Sequence, residues 1–308
     1  MKSDELYDVI GWGVVAVDDV FHVDRCPPPD TKARAAQAEQ RLGGLTGVAL
    51  VAVANLGGKA CYPGVLGPDA LSRFVIETMS SAGVDMARVM LTPEARPVHA
   101  VVIVAAEDGS RTIVYTTAGR ATRRMDDCLG DLITRSKTLL VDPYSLEECK
   151  PMLELALSRR IPVVADLEVE HVERHRALIP MIDHLVVPLS AAEKIAGLRG
   201  AEMCARELGR GRKAAVVTVG AKGAWYASGD SPGAAHHQAA FKVTARNTTG
   251  CGDVFHGAYA LGVARGMSPA ECVAFASAAA AVRAEDSAGE GAVTSLRRVN
   301  ELLGKPAA

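Results

Sequence analysis

Aromatic residues make up only 4% of this 308-residue chain, basic residues form no runs, and the net charge is −2. Few aromatics leave little surface for stacking a nucleobase. Without basic runs, nucleic acid is not an expected partner. The seven cysteines are odd in number and include no Cys-x-x-Cys pair. That speaks against a disulfide framework and a zinc site and suits a reducing compartment. No uncharged apolar run is long enough to span a bilayer. The longest, residues 44–58, reads as a buried helix. The opening "MKSDELYDVIGWGVV" has acidic residues where a secretory leader needs positive charge. A soluble, cytoplasmic protein with no membrane partner is expected. What is abundant is apolar surface: 49% of residues, enough for one large domain or two modest ones.

From Lys137 onward the pattern repeats. "KTLLVDP", "IPVVADL", "HLVVPL" and "AAVVTVG" read as short apolar strands. Between them, "SLEECKPMLELALSRR" reads as a helix with a Ser145-x-x-Glu148 capping box, and Ser190 with Glu193 caps another. The stretch "EVEHVERHRALIPMI" is helical in its middle. This alternation predicts βαβ units and a parallel sheet covered on both faces. Ser268-Pro269-Ala270-Glu271 starts a further helix, with a cap, a first-turn proline and a capping glutamate.

The N-terminal third differs. "YDVIGWGVVAVDDVFHVDRCP" and "VHAVVIVAAEDGSRTIVYT" are valine-rich and alternate like half-exposed strands, with Asp108-Gly109 as a two-residue hairpin turn. They flank helical stretches near Thr46–Asn55 and Asp69–Ala82. A small β-sheet is expected from segments near 14–42 and 97–118, lying as a lid over one edge of a single domain, 1–308.

Chemistry concentrates in "KVTARNTTGCGDVFHGAYALGVARG", residues 242–266. A strand ending near Val243 is followed by the turn Asn247–Asp253 and a helix from about Gly252 to Arg265. First-turn amides of such a helix lack intrahelical partners and sit at the positive end of its dipole, so they can hold an anion. The plainer alternative is a tight strand-to-helix turn in which Asp253 only complements the dipole.

The segment "TTGCGDVFHGAYALG" resembles the second signature of the PfkB or ribokinase-like carbohydrate kinases, and the resemblance extends over nearly the whole chain. Gly43-Gly44 with "LTGVALVAVANLG" is similar to the first signature, and "VVTVGAKGAWY" to the nucleotide-binding strand and turn. "AECVAFASAAAAVRAEDSAGEGAV" stands where the family builds its adenine pocket. "FKVTARNTTGCGDVFHGA" is similar to the branch that includes sulfofructose kinase. The resemblance implies a ribokinase-like α/β/α sandwich with a mostly parallel sheet and a small β lid. It implies a homodimer through the lids, and transfer of phosphate from ATP, with Mg²⁺, to a hydroxyl of a sugar. Asp253 would be the general base. The amides of Gly250, Cys251 and Gly252 would stabilise the transferring phosphoryl group.

The same resemblance places Asp18, Gly43 and Gly44 at the sugar; the plainer alternative for Asp18, a strand-end charge like its neighbour Asp19, is the less favoured reading. It places Thr218, Gly220, Gly223, Thr249 and Ser277 at the nucleotide. Glu193 would act behind a magnesium ion, unless Ser190-x-x-Glu193 is only a cap. Three positions depart from the family pattern. Val48 and Ser277 replace asparagines, and Asn247 replaces an aspartate near a monovalent cation site. A neutral amide holds K⁺ less strongly than a carboxylate, so little activation by K⁺ is expected. Cys251 reads as a spacer in the turn. His171 and His175, one helical turn apart, read as a solvated helix face. Two other functions stay open. One is a nucleoside kinase using Trp12, Phe21 or Tyr115 as a platform; the other is a non-catalytic sugar- or nucleotide-binding protein. Lid arginines Arg25, Arg34, Arg41 and Arg111 could clamp an anionic substituent or be solvated.

Overall fold

The structure is a computed structural model and describes residues 6–229, 233–285 and 294–305. Its strands, in chain order, are β1 (Tyr7–Trp12), β2 (Ala16–Val23), β3 (Gln37–Gly43), β4 (Ala60–Cys61), β5 (Val65–Leu66), β6 (Met90–Leu91) and β7 (Val98–Ala105). There follow β8 (Arg111–Thr116), β9 (Ser136–Val141), β10 (Val163–Asp166), β11 (His184–Pro188), β12 (Ala214–Thr218), β13 (Ala224–Ala227) and β14 (His236–Gln238). The helices are α1 (Leu45–Asn55), α2 (Ala70–Ser81), α3 (Asp127–Thr134), α4 (Lys150–Arg159) and α5 (Val172–His175). They continue with α6 (Leu189–Ala196), α7 (Ala201–Leu208), α8 (Cys251–Ala264), α9 (Pro269–Glu285) and α10 (Leu296–Leu302).

Strands β4, β1, β9, β10, β11 and β12 lie side by side and parallel, and β13 and β14 complete the eight-stranded sheet antiparallel. Successive side chains on these strands enter opposite cores. Val9, Leu140, Val164, Val186 and Val216 pack with α1, α2, α8 and α9. Their neighbours Ile10, Leu139, Val163, Val187 and Val217 pack with α3, α4, α6 and α7. Burial on both faces is why the strands read as continuous apolar runs. The expected α/β/α sandwich is the fold observed.

A separate four-stranded sheet has the order β3-β2-β7-β8, with β2 and β7 parallel at its centre. Its register aligns Arg41, Asp18, Ala100 and Tyr115 across the four strands. These residues therefore share one face, together with Val20 and Arg111. The opposite face leaves Phe21, Val101 and Val114 exposed.

Several local expectations are corrected. The turn between β7 and β8 is a five-residue loop rather than Asp108-Gly109 alone: Ala105 N–H donates to Ser110 O, and Gly109 adopts φ 70°. Helix α4 starts at Lys150 and not at Ser145, because Pro151 is tolerated only in a first turn. Ser145 and Glu148 serve Arg120 instead, at 3.4 and 3.6 Å. Pro188 occupies the N-cap of α6, so Ser190 lies inside the helix and Glu193 turns to Arg199 and Gly200. No strand ends near Val243; β14 closes the sheet edge at Gln238, leaving the following residues no ladder to join. The helix start at Ser268 does form its capping box, with Ser268 N–H and Oγ 2.8 and 2.7 Å from Glu271 Oε2.

Candidate active site

Parallel strands deliver their C-terminal ends to one side of a sheet, the side where such folds bind ligands. Asp142 directly follows β9, Asp166 ends β10, and Glu168 lies two residues beyond. Asp253, in the first turn of α8, is held among these three carboxylates. Burial pushes its pKa up to about 7, the negative charges of Asp166, Glu168 and Asp142 add to the rise, and His256 opposes it. Asp166 is pushed up to about 8 by burial and by Asp142. Glu168 reaches about 7 by burial and the charges of Asp166, Glu170 and Asp142. Asp142 reaches about 6, burial being partly offset by three donors. These donors are Val14 N–H (2.5 Å), the Thr46 hydroxyl (2.8 Å) and Tyr144 N–H (3.1 Å).

His256 lies beneath this group. Its Nδ1 faces Gly252 O at 2.7 Å and the Asp166 carboxylate at 3.4 Å, and its Nε2 faces Val186 O at 3.0 Å. Each ring nitrogen thus lies within hydrogen-bond distance of a backbone carbonyl.

The turn preceding α8 is shaped for close approach. Gly250 adopts φ 75°, a left-handed conformation that strains any other residue. Among the described residues, the amides of Gly250 and Gly252 have no hydrogen-bond partner, whereas Cys251 N–H folds back to Thr248 O at 3.3 Å. The free donors of the predicted anion turn are thus its two glycines. Thr249 N–H binds Asn247 Oδ1 at 2.9 Å, and the Thr249 hydroxyl accepts from Arg111 of β8. Burial pushes the Cys251 thiol up to about 11, consistent with a spacer and not a nucleophile.

The small sheet brings Asp18 to the same end as Gly43: a β-carbon added to Gly43 would lie 2.4 Å from Asp18 Oδ2. Burial raises the Asp18 carboxyl above the ordinary range, against the opposing charge of Arg41. Asp19 points to the other face, where it holds Gln40 (3.0 Å) and His99 (2.7 Å). Gly44 caps α1 at φ 83°. Of the three aromatic platforms, Tyr115 shares the face of Asp18 and is 55% exposed, Trp12 is buried at 3%, and Phe21 is on the outer face.

Thr218 ends β12, its hydroxyl 3.5 Å from Val187 O, and Gly220 and Gly223 shape the hairpin into β13 with φ 57° and 92°. Ser277 is buried on α9. The remainder of the expected adenine-pocket segment, 286–293, lies outside the described residues. Glu193 is engaged elsewhere: Arg199 Nη1 and Gly200 N–H donate to it at 2.7 and 3.0 Å. The solvated-face reading of His171 and His175 is also corrected. His175 is 1% exposed and donates to Pro143 O at 2.6 Å, and His171 groups with Glu168 and Glu170.

The sequence reading missed Asp142, Asp166, Glu168, His256 and Arg283. The signal for the first two was present in "LLVDP" and "VVADL", a carboxylate closing an apolar strand. His256 and Arg283 sit inside helices and carry no local signal.

Relatives share this fold. A ribokinase of Staphylococcus aureus (strain COL) is 23% identical over 308 residues, which cover 96% of this chain and 99% of the relative. A candidate ribokinase from Agrobacterium tumefaciens superposes with a TM-score of 0.88 at 27% identity, over 97% of each chain. Arabidopsis thaliana ribokinase complexed with ribose and ATP gives a TM-score of 0.83 at 20% identity, over 98% of this chain and 100% of the other. The description "pfkB family carbohydrate kinase" matches residues 9–294, and the chain belongs to that family.

Proposed function

We propose that this chain transfers the γ-phosphate of ATP to a hydroxyl of a sugar or sugar derivative, with Asp253 as general base. The observation that carries this reading is the pairing of a proton-poised carboxylate with free amides in one helix turn. Asp253 sits near pKa 7 beside the unpartnered N–H groups of Gly250 and Gly252. A base whose pKa lies near working pH both holds and releases a proton readily. As the acceptor oxygen bonds to the γ-phosphorus, its proton passes to Asp253. The bond from that phosphorus to the ADP oxygen breaks, and ADP leaves. The two amides receive charge on the phosphoryl oxygens, so positioning and electrostatics carry most of the catalysis.

Asp18, with Gly43 and Gly44, is assigned to the acceptor's hydroxyls, and Tyr115 to one face of its ring. Thr218, Gly220, Gly223, Thr249 and Ser277 are assigned to the nucleotide. The donor set also fits magnesium. Asp166 and Glu168 are carboxylates held partly protonated by burial and mutual repulsion, and a divalent cation relieves both. When bound, magnesium would be held by Asp166 and Glu168 and would draw off charge from the nucleotide phosphates.

The small sheet closes over the acceptor and excludes water. Its outer apolar residues Phe21, Val101 and Val114 mark the surface through which two copies pair as a homodimer. Light scattering at micromolar concentration giving the mass of one chain would remove that assignment.

The deciding experiment measures ADP release from Mg·ATP across ketoses, aldoses, sugar acids, sulfosugars and nucleosides, with Asp253→Asn alongside. Acceptor-dependent release by one sugar class, abolished in the variant, is the expected result. Release with nucleosides alone would make the chain a nucleoside kinase. ATP binding without release on any acceptor would favour a binding protein.

A further inference from the structure

Arg283 occupies the last turn of α9, beside Ala284, whose carbonyl accepts the amides of Arg246 (2.8 Å) and Asn247 (3.2 Å). The end of α9 is thereby tied to the start of the anion turn. The guanidinium runs toward Gly250. A β-carbon built on Gly250 would lie 3.8 Å from Arg283 Nε, 3.7 Å from Asp253 Oδ2 and 3.4 Å from Val48 Cγ1. Arg283 therefore shares one small space with the base and with the free amides of the turn. Its Nη1 is buried and, among the described residues, has no hydrogen-bond partner.

A cationic donor enclosed without an acceptor is unfavourable, and native structures seldom keep one idle. Val48, the neighbour on α1, can offer it nothing. An oxygen that arrives with a ligand would supply the missing acceptor, and the ligand suited to free amides at a helix start is an anion such as phosphate. Cys251, the next residue in the turn, experiences both Arg283 and Arg111 as positive charges, so the cationic field extends across the whole turn.

We propose that Arg283 is a phosphoryl-binding residue, donating from Nη1 to an oxygen of the transferring phosphoryl group alongside the amides of Gly250 and Gly252. This rests on the kinase reading above. It adds a fixed positive charge that strengthens as negative charge spreads over the phosphoryl oxygens, the property that lowers a transition state and not merely a ground state.

Titration calorimetry tests this without any acceptor, using Mg·ADP and Mg·AMP-PNP on the wild type, Arg283→Gln and Arg283→Lys. Loss of a charged hydrogen bond predicts that Arg283→Gln binds AMP-PNP about tenfold or more weakly while ADP affinity stays unchanged. Arg283→Lys recovers part of the loss and serves alone should the glutamine variant not fold. With an acceptor, kcat of Arg283→Gln falls by about 10²-fold or more, with acceptor KM near the wild-type value. Added guanidinium restores part of the turnover of Arg283→Ala. No loss for either nucleotide, or equal loss for both, overturns the proposal. So does a lowered melting temperature with an unchanged preference for AMP-PNP, which would assign Arg283 to packing. If the wild type phosphorylates no acceptor, the kinase reading fails, yet the nucleotide comparison still decides the role of Arg283.

Discussion

Arg111, on the edge strand of the small sheet, donates a hydrogen bond to the hydroxyl of Thr249 at the head of the anion turn. The two residues are far apart in the chain, and their contact joins the small sheet to the phosphate end of the main one. It gives the sheet a specific point of closure. Arg111 also shares its face with Asp18 and Tyr115. In the proposed reading, a sheet latched here would hold the acceptor between that face and Asp253.

Removing the latch has a predictable cost. A hydrogen bond of this kind contributes roughly 0.5–1.5 kcal/mol net, so Arg111→Ala is expected to raise acceptor KM about threefold to tenfold. ADP affinity, which draws on Thr218, Gly220, Gly223 and Ser277 as well as Thr249, is expected to change less. Steady-state kinetics with calorimetric ADP binding checks both values. A loss of ADP affinity equal to the change in KM would show that Arg111 serves the nucleotide instead.

The acidic group around Asp253 predicts the pH profile. As the proposed base, Asp253 must be deprotonated to work, so kcat/KM is expected to rise with pH through an acid limb near 7. Asp166→Asn removes the largest neighbouring charge that raises it. The limb should then move to lower pH. A limb that stays in place would show that burial alone sets the proton affinity of Asp253.

The sequence made the strand-to-helix turn and the doubly covered sheet readable because both depend on local chemistry. Glycines permit the left-handed Gly250, and apolar runs require two buried faces. The acidic group was not readable, because Asp142, Asp166 and Asp253 come from separate strands and a helix and meet only through parallel packing. Arg283 was hidden for the same reason. On α9 it looks like an ordinary last-turn cation, and only the docking of α9 on α8 brings it to Gly250. Local rules also failed where a proline overruled them, as Pro151 did for the Ser145 cap and Pro188 for the Ser190 cap.

The same carboxylates predict how stability varies with pH. Folding raises Asp142, Glu168, Asp253 and Asp166 from the ordinary carboxylate range to about 6, 7, 7 and 8. The folded state therefore binds these protons more tightly than the unfolded state. The stability they contribute is full below the unfolded values near pH 4 and is lost as pH rises through about 6 to 8. The free protein is expected to melt at a lower temperature at pH 8 than at pH 5.5. Asp166→Asn should narrow that difference, and so should magnesium if it binds there. Thermal melts at the two pH values check this; a protein that gains stability toward pH 8 would contradict it.

Asn247 sets the last expectation, the response to K⁺. Its Oδ1 accepts Thr249 N–H at 2.9 Å, which folds the side chain back on its own turn. That oxygen is neutral and already engaged, so it attracts a monovalent cation weakly. Its backbone N–H is tied to Ala284 O, next to the fixed charge of Arg283, which further discourages a mobile cation nearby. Turnover should show no saturable activation when K⁺ replaces a large organic cation at constant ionic strength. Asn247→Asp restores a carboxylate at this point and is expected to introduce a K⁺ dependence. Strong, saturable activation of the wild type would mean that carbonyl oxygens of the turn, without any carboxylate, suffice to hold the ion.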